Sequence, residues 1–91
     1  MQSILQTERE CYFTHRTGDL HKHHIYFGPN RKVSDDNGFW VWLIPPLHNR
    51  SVQAVHHCRD LDLKLKTECQ AKYEETHTRE EFMALVGRSY L

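Results

Sequence analysis

Apolar and polar positions fall into short extended runs in the first half of the chain and into a helical period in the second. Residues 10–14, Glu-Cys-Tyr-Phe-Thr, suit a short strand. Thr17-Gly18-Asp19 reads as a turn, from its glycine and its short polar side chains. Residues 23–27 have β-branched and aromatic character and predict the next strand, which Gly28-Pro29-Asn30 stops. Residues 31–38 are largely polar and predict a loop or a loose helical turn. Residues 39–44, Phe-Trp-Val-Trp-Leu-Ile, form the most apolar run, too short for a helix and closed by Pro45-Pro46. They predict a strand or extended segment that builds core. On a strand Trp40 and Trp42 share one face, and both are expected to pack inside, the alternative being that one is exposed as a contact surface.

From Cys58 the period changes. Leu61, Leu65, Cys69 and Tyr73 recur every fourth residue, with lysines and acids mostly elsewhere, as an amphipathic helix requires. Asp60 and Asp62 sit at its start, where they favour the helix dipole. Thr78-Arg79-Glu80-Glu81 matches a capping box, so a second helix begins at about Arg79. It buries Phe82 and Leu85 or Val86 and stops at Gly87. The predicted order is β-β-loop-α-α, in a single α+β domain over residues 1–91 with no repeat, low-complexity tract or linker.

At 91 residues the chain lies in a size range where a hydrophobic core alone gives marginal stability. Apolar content of 38%, with 11% aromatic residues, supports a modest core and leaves room for a metal or a partner to contribute. No apolar run approaches the roughly 20 residues of a membrane span. The start, Met-Gln-Ser-Ile-Leu-Gln-Thr-Glu, lacks the basic and apolar stretches of a signal peptide, so an intracellular location is expected. Cys11, Cys58 and Cys69 are odd in number and form no Cys-x-x-Cys pair, which fits a reducing compartment rather than a disulfide framework. Acids and bases balance at 12 each, whereas a dedicated DNA binder shows a basic excess. The local exception is Arg16, Lys22, Arg31 and Lys32 against Asp19.

Histidine usage changes this picture most. Leu20-His21-Lys22-His23-His24-Ile25 places three of the eight histidines within four positions, and His48, His56 and His57 follow. Neighbouring side chains on a strand point to opposite faces. Of His23 and His24, one can therefore face a metal while the other faces a substrate. A hydrolytic metal site needs that division, with one group holding the cation and another activating water. Neutral imidazole is available near pH 7 for either task.

Leu20-His21-Lys22-His23-His24-Ile25-Tyr26-Phe27-Gly28, then Asn30-Arg31-Lys32, then Val55-His56 with Asp60-Leu61-Asp62-Leu63-Lys64-Leu65-Lys66, resemble a family of small HNH-like proteins common in phages and prophages of Gram-positive bacteria. Glu80-Glu81-Phe82-Met83 and Gly87-Arg88-Ser89-Tyr90-Leu91 are similar to that family's ending, so the resemblance runs from about Glu10 to Leu91. It implies a ββα-metal core with a long helix and a C-terminal helix, in the cytoplasm of the bacterial host. It also implies one divalent metal ion, zinc by the donor chemistry, held by His23, His48 and His56, with His24 as general base. His21 or His57 would supply a fourth ligand. The family's zinc knuckle is degenerate here. Cys11 remains, but Thr14, Ile44 and Leu47 occupy the other ligand positions. The asparagine of the HNH name has no clear counterpart, Asn37 and Asn30 being the nearest.

Three functions follow as expectations. The favoured one is a metal-stabilised protein that binds a host protein, most concretely an inhibitor of a CRISPR effector nuclease (anti-CRISPR type). Such effectors hold nucleic acid in basic channels, which the acids Asp60, Asp62, Glu68, Glu74 and Glu75 would meet. The alternative is a divalent-metal-dependent HNH endonuclease acting on DNA through His24. The third is a DNA-binding accessory factor using Arg16, Lys22, Arg31 and Lys32.

Overall fold

The protein is described here by a computed structural model, which describes residues 1–50 and 58–91. It is a small α+β fold. Strand β1 (His21–His24) pairs antiparallel with β2 (Trp40–Leu43), and helix α1 (Arg31–Asn37) lies between them in sequence. Helices α2 (Arg59–Tyr73) and α3 (Arg79–Val86) follow. The register pairs His21 with Leu43, Lys22 with Trp42, His23 with Val41 and His24 with Trp40. No helix among the described residues is long and apolar enough to cross a membrane.

Three elements differ from the sequence expectation. Residues 10–14 form a turn rather than a strand, because His15 N–H donates to the Cys11 carbonyl (2.8 Å) and Cys11 N–H to Arg16 (2.8 Å). β1 begins two residues earlier than expected, and the chain leaves it at Ile25. Residues 31–37 are a full helix. Pro29 precedes it in the Gly28–Asn30 turn, Lys32 pairs with Asp36 one turn on, and Gly38 closes it in the left-handed conformation (φ 73°). A side chain at Gly38 is excluded twice over. The φ is unfavourable for any L-residue, and a Cβ there would collide with the Gln2 carbonyl oxygen.

The core is one cluster. Ile25, Tyr26, Phe39, Val41, Leu43, Leu65, Cys69 and Phe82 are fully buried or nearly so. Tyr26 meets Phe39 and Phe82 edge to face at 5.5 and 5.4 Å, and Phe39 meets Tyr73 at 5.4 Å. Each such pair contributes about 0.5–1.5 kcal/mol beyond its burial. The fourfold period of α2 is realised, with Leu65 and Cys69 buried and Leu61 and Tyr73 packed against the cluster. α3 carries the expected capping box, in which Thr78 Oγ1 accepts from Glu81 N–H and the Glu81 carboxylate accepts from Thr78 N–H. It buries Phe82 and Val86.

The free edge of β2 is covered by the N-terminal segment. Ser3 Oγ donates to the Trp40 carbonyl, Trp42 N–H donates to Gln6 Oε1 (2.8 Å), and Tyr12 N–H donates to the Trp42 carbonyl (2.9 Å). Capping an edge in this way blocks pairing with foreign strands.

Two outcomes test this packing. Gly38→Ala is expected to destabilise the chain by at least about 1–2 kcal/mol in thermal unfolding, from backbone strain before the clash is counted. The Glu81 carboxyl is held below its ordinary value by the main-chain and side-chain hydrogen bonds of Thr78. Its stabilising effect is therefore present above the ordinary glutamate range and is lost as pH falls through the folded-state value. Acid titration of Glu81→Ala followed by circular dichroism should show a flatter loss of helix than the parent chain.

Candidate metal centre and basic groove

The alternation of β1 sorts its four side chains. His21 and His23 share one face, and Lys22 and His24 share the other. His23 is fully buried, paired across the hairpin with the core residue Val41. His24 keeps 16% of its side chain exposed.

His48 joins the inner face from the helical turn Pro46–Arg50 that follows β2. Pro45-Pro46 ends the strand, and the Ile44 carbonyl then accepts from both Leu47 N–H (2.9 Å) and His48 N–H (3.1 Å). This turn brings the His48 ring edge-on to His21 at 5.2 Å and to His23 at 5.4 Å between centroids. His21 Nδ1 and His48 Nδ1 lie 3.1 Å apart. Two nitrogens bound to one tetrahedral zinc at 2.0–2.1 Å are separated by roughly 3.3–3.4 Å. The observed separation fits a ligand pair to within a few tenths of an ångström, and fits a hydrogen bond between neutral imidazoles equally well. Among the described residues no group of three or more His, Cys, Asp or Glu side chains converges in metal-binding geometry. His56 and His57 lie outside the described residues.

His24 opens onto a groove of about 650 Å³ whose lining includes Lys22, Gly28, Arg31, Lys32 and Asp35. An adjoining hollow of about 490 Å³ is bordered by His24 and also by His48. The groove therefore runs from the outer face of β1 to the histidine cluster. His24 Nε2 stands 3.4 Å from Asp35 Oδ1, which also accepts from Lys22 Nζ (2.5 Å). Burial holds the His24 imidazole below its ordinary value, with Arg31 and Lys22 adding to the effect and Asp35 opposing it. The ring is thus biased toward the neutral form that a proton acceptor needs. Lys22 pulls the Asp35 carboxyl below its usual range. Lys32 is paired with Asp36 (2.6 Å), and Arg31 forms no ion pair among the described residues.

Ser34 sets the distance between His24 and Asp35. It is fully buried, donates to the Tyr26 carbonyl (2.5 Å) and accepts from Tyr26 N–H (3.1 Å). One hydroxyl thus joins α1 to the chain just past β1, with Asp35 and His24 flanking the joint. Asp35 was missed by sequence reasoning because it is eleven positions from His24 on a polar segment read as a loop or a loose helical turn. Nothing in the sequence pattern singled it out.

Of the positions that the resemblance compares with a zinc knuckle, those of Cys11, Ile44 and Leu47 are closely packed. Burial pushes the Cys11 thiol up, but hydrogen bonds from the Thr14 side chain and from the main chain of Ile44, Thr14 and Phe13 outweigh it and hold the thiol below its ordinary value. Ile44 and Leu47 pack against the core. The acids of α2 are largely neutralised in place. Asp62 pairs with Lys66, and Glu68 with Lys64 and the Tyr12 hydroxyl, while Glu75, two residues past the helix, pairs with Lys72. Just beyond the helix, Glu74 pairs with Arg79.

Comparison with protein-family models, with curated proteins and with solved structures finds no match to this chain.

Ser34→Ala leaves a buried N–H and a buried carbonyl of Tyr26 without their partner, so a loss of about 1–3 kcal/mol is expected in denaturant unfolding. An unchanged midpoint would mean that α1 is held by other contacts.

Proposed function

We propose that this chain is an HNH-like, divalent-metal-dependent phosphodiester hydrolase, in which His24 is the general base and the groove beside it takes the nucleic-acid backbone. The observation that carries this reading is the opposite orientation of His23 and His24, with both faces meeting at a groove bordered by His24 and His48. In this reading β1, β2 and the turn bearing His48 correspond to the metal-binding part of a ββα core. His23 and His48 hold the cation together with His56, and His21 stands beside His48 as a further donor. The bound ion supplies Lewis-acid stabilisation of charge on the phosphoryl oxygens.

The chain's own residues do the rest. With Nε2–H donated to Asp35, the His24 Nδ1 lone pair takes a proton from the attacking water. Asp35 orients the ring, and Lys22 keeps Asp35 ionised. Arg31 and Lys32, at the mouth of the groove, meet the flanking phosphates. The protein-binding reading drew on the acids near α2. Four of these are paired within the chain, so the reading rests on the orientation of His23 and His24 rather than on those acids.

The test is cleavage of DNA by the purified protein with added divalent metal, stopped by EDTA, with metal content measured on the same samples. His24→Ala should lower the cleavage rate by about 100-fold or more with metal content unchanged. His23→Ala and His48→Ala should lose metal and melt at lower temperature. Ligand variants that keep both the metal and the melting temperature would sink the proposed centre, and cleavage that survives His24→Ala would sink the proposed base.

A further inference from the structure

Trp40 and Trp42 are the chain's only two tryptophans, and the chemistry above uses neither. Both stand half-buried on the outer face of the hairpin, while Val41 and Leu43 between and beyond them fill the core. Trp42 leans partly on the core cluster, whereas Trp40 does not join it. Their rings meet edge to face at 5.3 Å. The exposed Arg9 guanidinium lies 4.8 Å over the Trp42 ring, and the Lys22 ammonium lies 4.5 Å over Trp40.

The register ties this face to the groove. Ile25 N–H donates to the Phe39 carbonyl, so His24–Trp40 and Lys22–Trp42 are the non-hydrogen-bonded pairs, in which side chains approach most closely. Lys22 and His24 thus belong both to the aromatic face and to the groove, and a chain held beside His24 continues over Trp40.

We propose that this face is a stacking platform for single-stranded nucleic acid, so that the groove takes an unpaired strand in preference to a duplex. The inference rests on the nucleic-acid reading of the groove. Proteins that hold single strands without sequence preference combine cations along the backbone with aromatic rings under the bases, since every base offers a π-face. Arg9 and Lys22 are long side chains that exchange ring faces for phosphates as bases arrive. Charge points the same way. Duplex binding draws heavily on phosphate neutralisation, and this chain has no net positive charge. Lys22 and Lys32 in the groove are already paired with Asp35 and Asp36. Stacking supplies the affinity that electrostatics here does not.

Because both tryptophans lie on the platform, their fluorescence reads its occupancy without any cleavage. The full-length protein, with its metal retained, is titrated with a hydrolysis-resistant phosphorothioate oligothymidylate and with a duplex of the same length. Saturable quenching is expected, with the single strand bound at least about tenfold more tightly than the duplex. Trp40→Leu, read through Trp42, should weaken single-strand binding about tenfold, as should Trp42→Leu read through Trp40. Should Trp40→Leu fail to fold for want of its hydrogen bond to the Met1 carbonyl, Arg9→Gln replaces it, with the anisotropy of an end-labelled oligothymidylate as the readout and weaker binding expected. Equal affinity for duplex and single strand would overturn the proposal. So would the absence of quenching by either, which would leave the face to a protein partner. Quenching by the phosphorothioate strand, with unmodified DNA left uncut by the same sample under added divalent metal, would uphold the platform and remove the hydrolase reading, so the two fail separately.

Discussion

The site depends on the geometry of a four-residue strand held in one register. Adjacent residues of a strand cannot point the same way, and a slip of one position would exchange the two faces of β1. The register is held from both sides. Val41 and Leu43 must enter the core, and Ser3, Gln6 and Tyr12 fix the outer main-chain groups of Trp40 and Trp42. His23 is consequently buried against the core with His48, and His24 is turned out to the groove. Neither histidine can take the other's place without turning Ile25, which follows His23 on the same face, out of the core.

A second layer of positioning comes from α1. The helix is only seven residues long, below the length at which an isolated helix is stable, so tertiary contacts must hold it. Ser34 supplies a buried two-way hydrogen bond to Tyr26, and Gly38 lets the chain turn tightly under the N-terminal segment. Asp35 inherits its place from these neighbours. Lys22, Asp35 and His24 form a linked set in which each group shifts the charge state of the next. A small domain with a modest core thus arranges polar groups around one strand by fixing the backbone on either side of it.

The sequence was legible where one physical signal dominated. The fourfold period of Leu61, Leu65, Cys69 and Tyr73 and the Thr78–Glu81 box marked α2 and α3, because burial and capping leave strong local patterns. The splitting of His23 and His24 could be read from their adjacency on an extended segment. α1 was not legible, since its stability comes from Ser34 and Gly38 contacting residues distant in sequence. The strand expected at residues 10–14 failed for a related reason, because Cys11 closes a turn onto His15 and Arg16. Trp40 and Trp42 do share one face, but the expectation that both pack inside fails, because Val41 and Leu43 take the inner face and leave the tryptophans half-buried on the outer one. Ion pairing within the chain also changed the meaning of the acids near α2, which composition could not foresee.

The central claim is that the two adjacent histidines serve different faces, one a metal and the other the groove. Crystals grown with zinc, examined by anomalous scattering at the zinc edge, test it most directly. The account predicts one peak within about 2.0–2.1 Å of nitrogens from His23 and His48, with His24 turned away from it. A peak bound by His24 and Asp35 in the groove, or the absence of a peak beside His23, would contradict it.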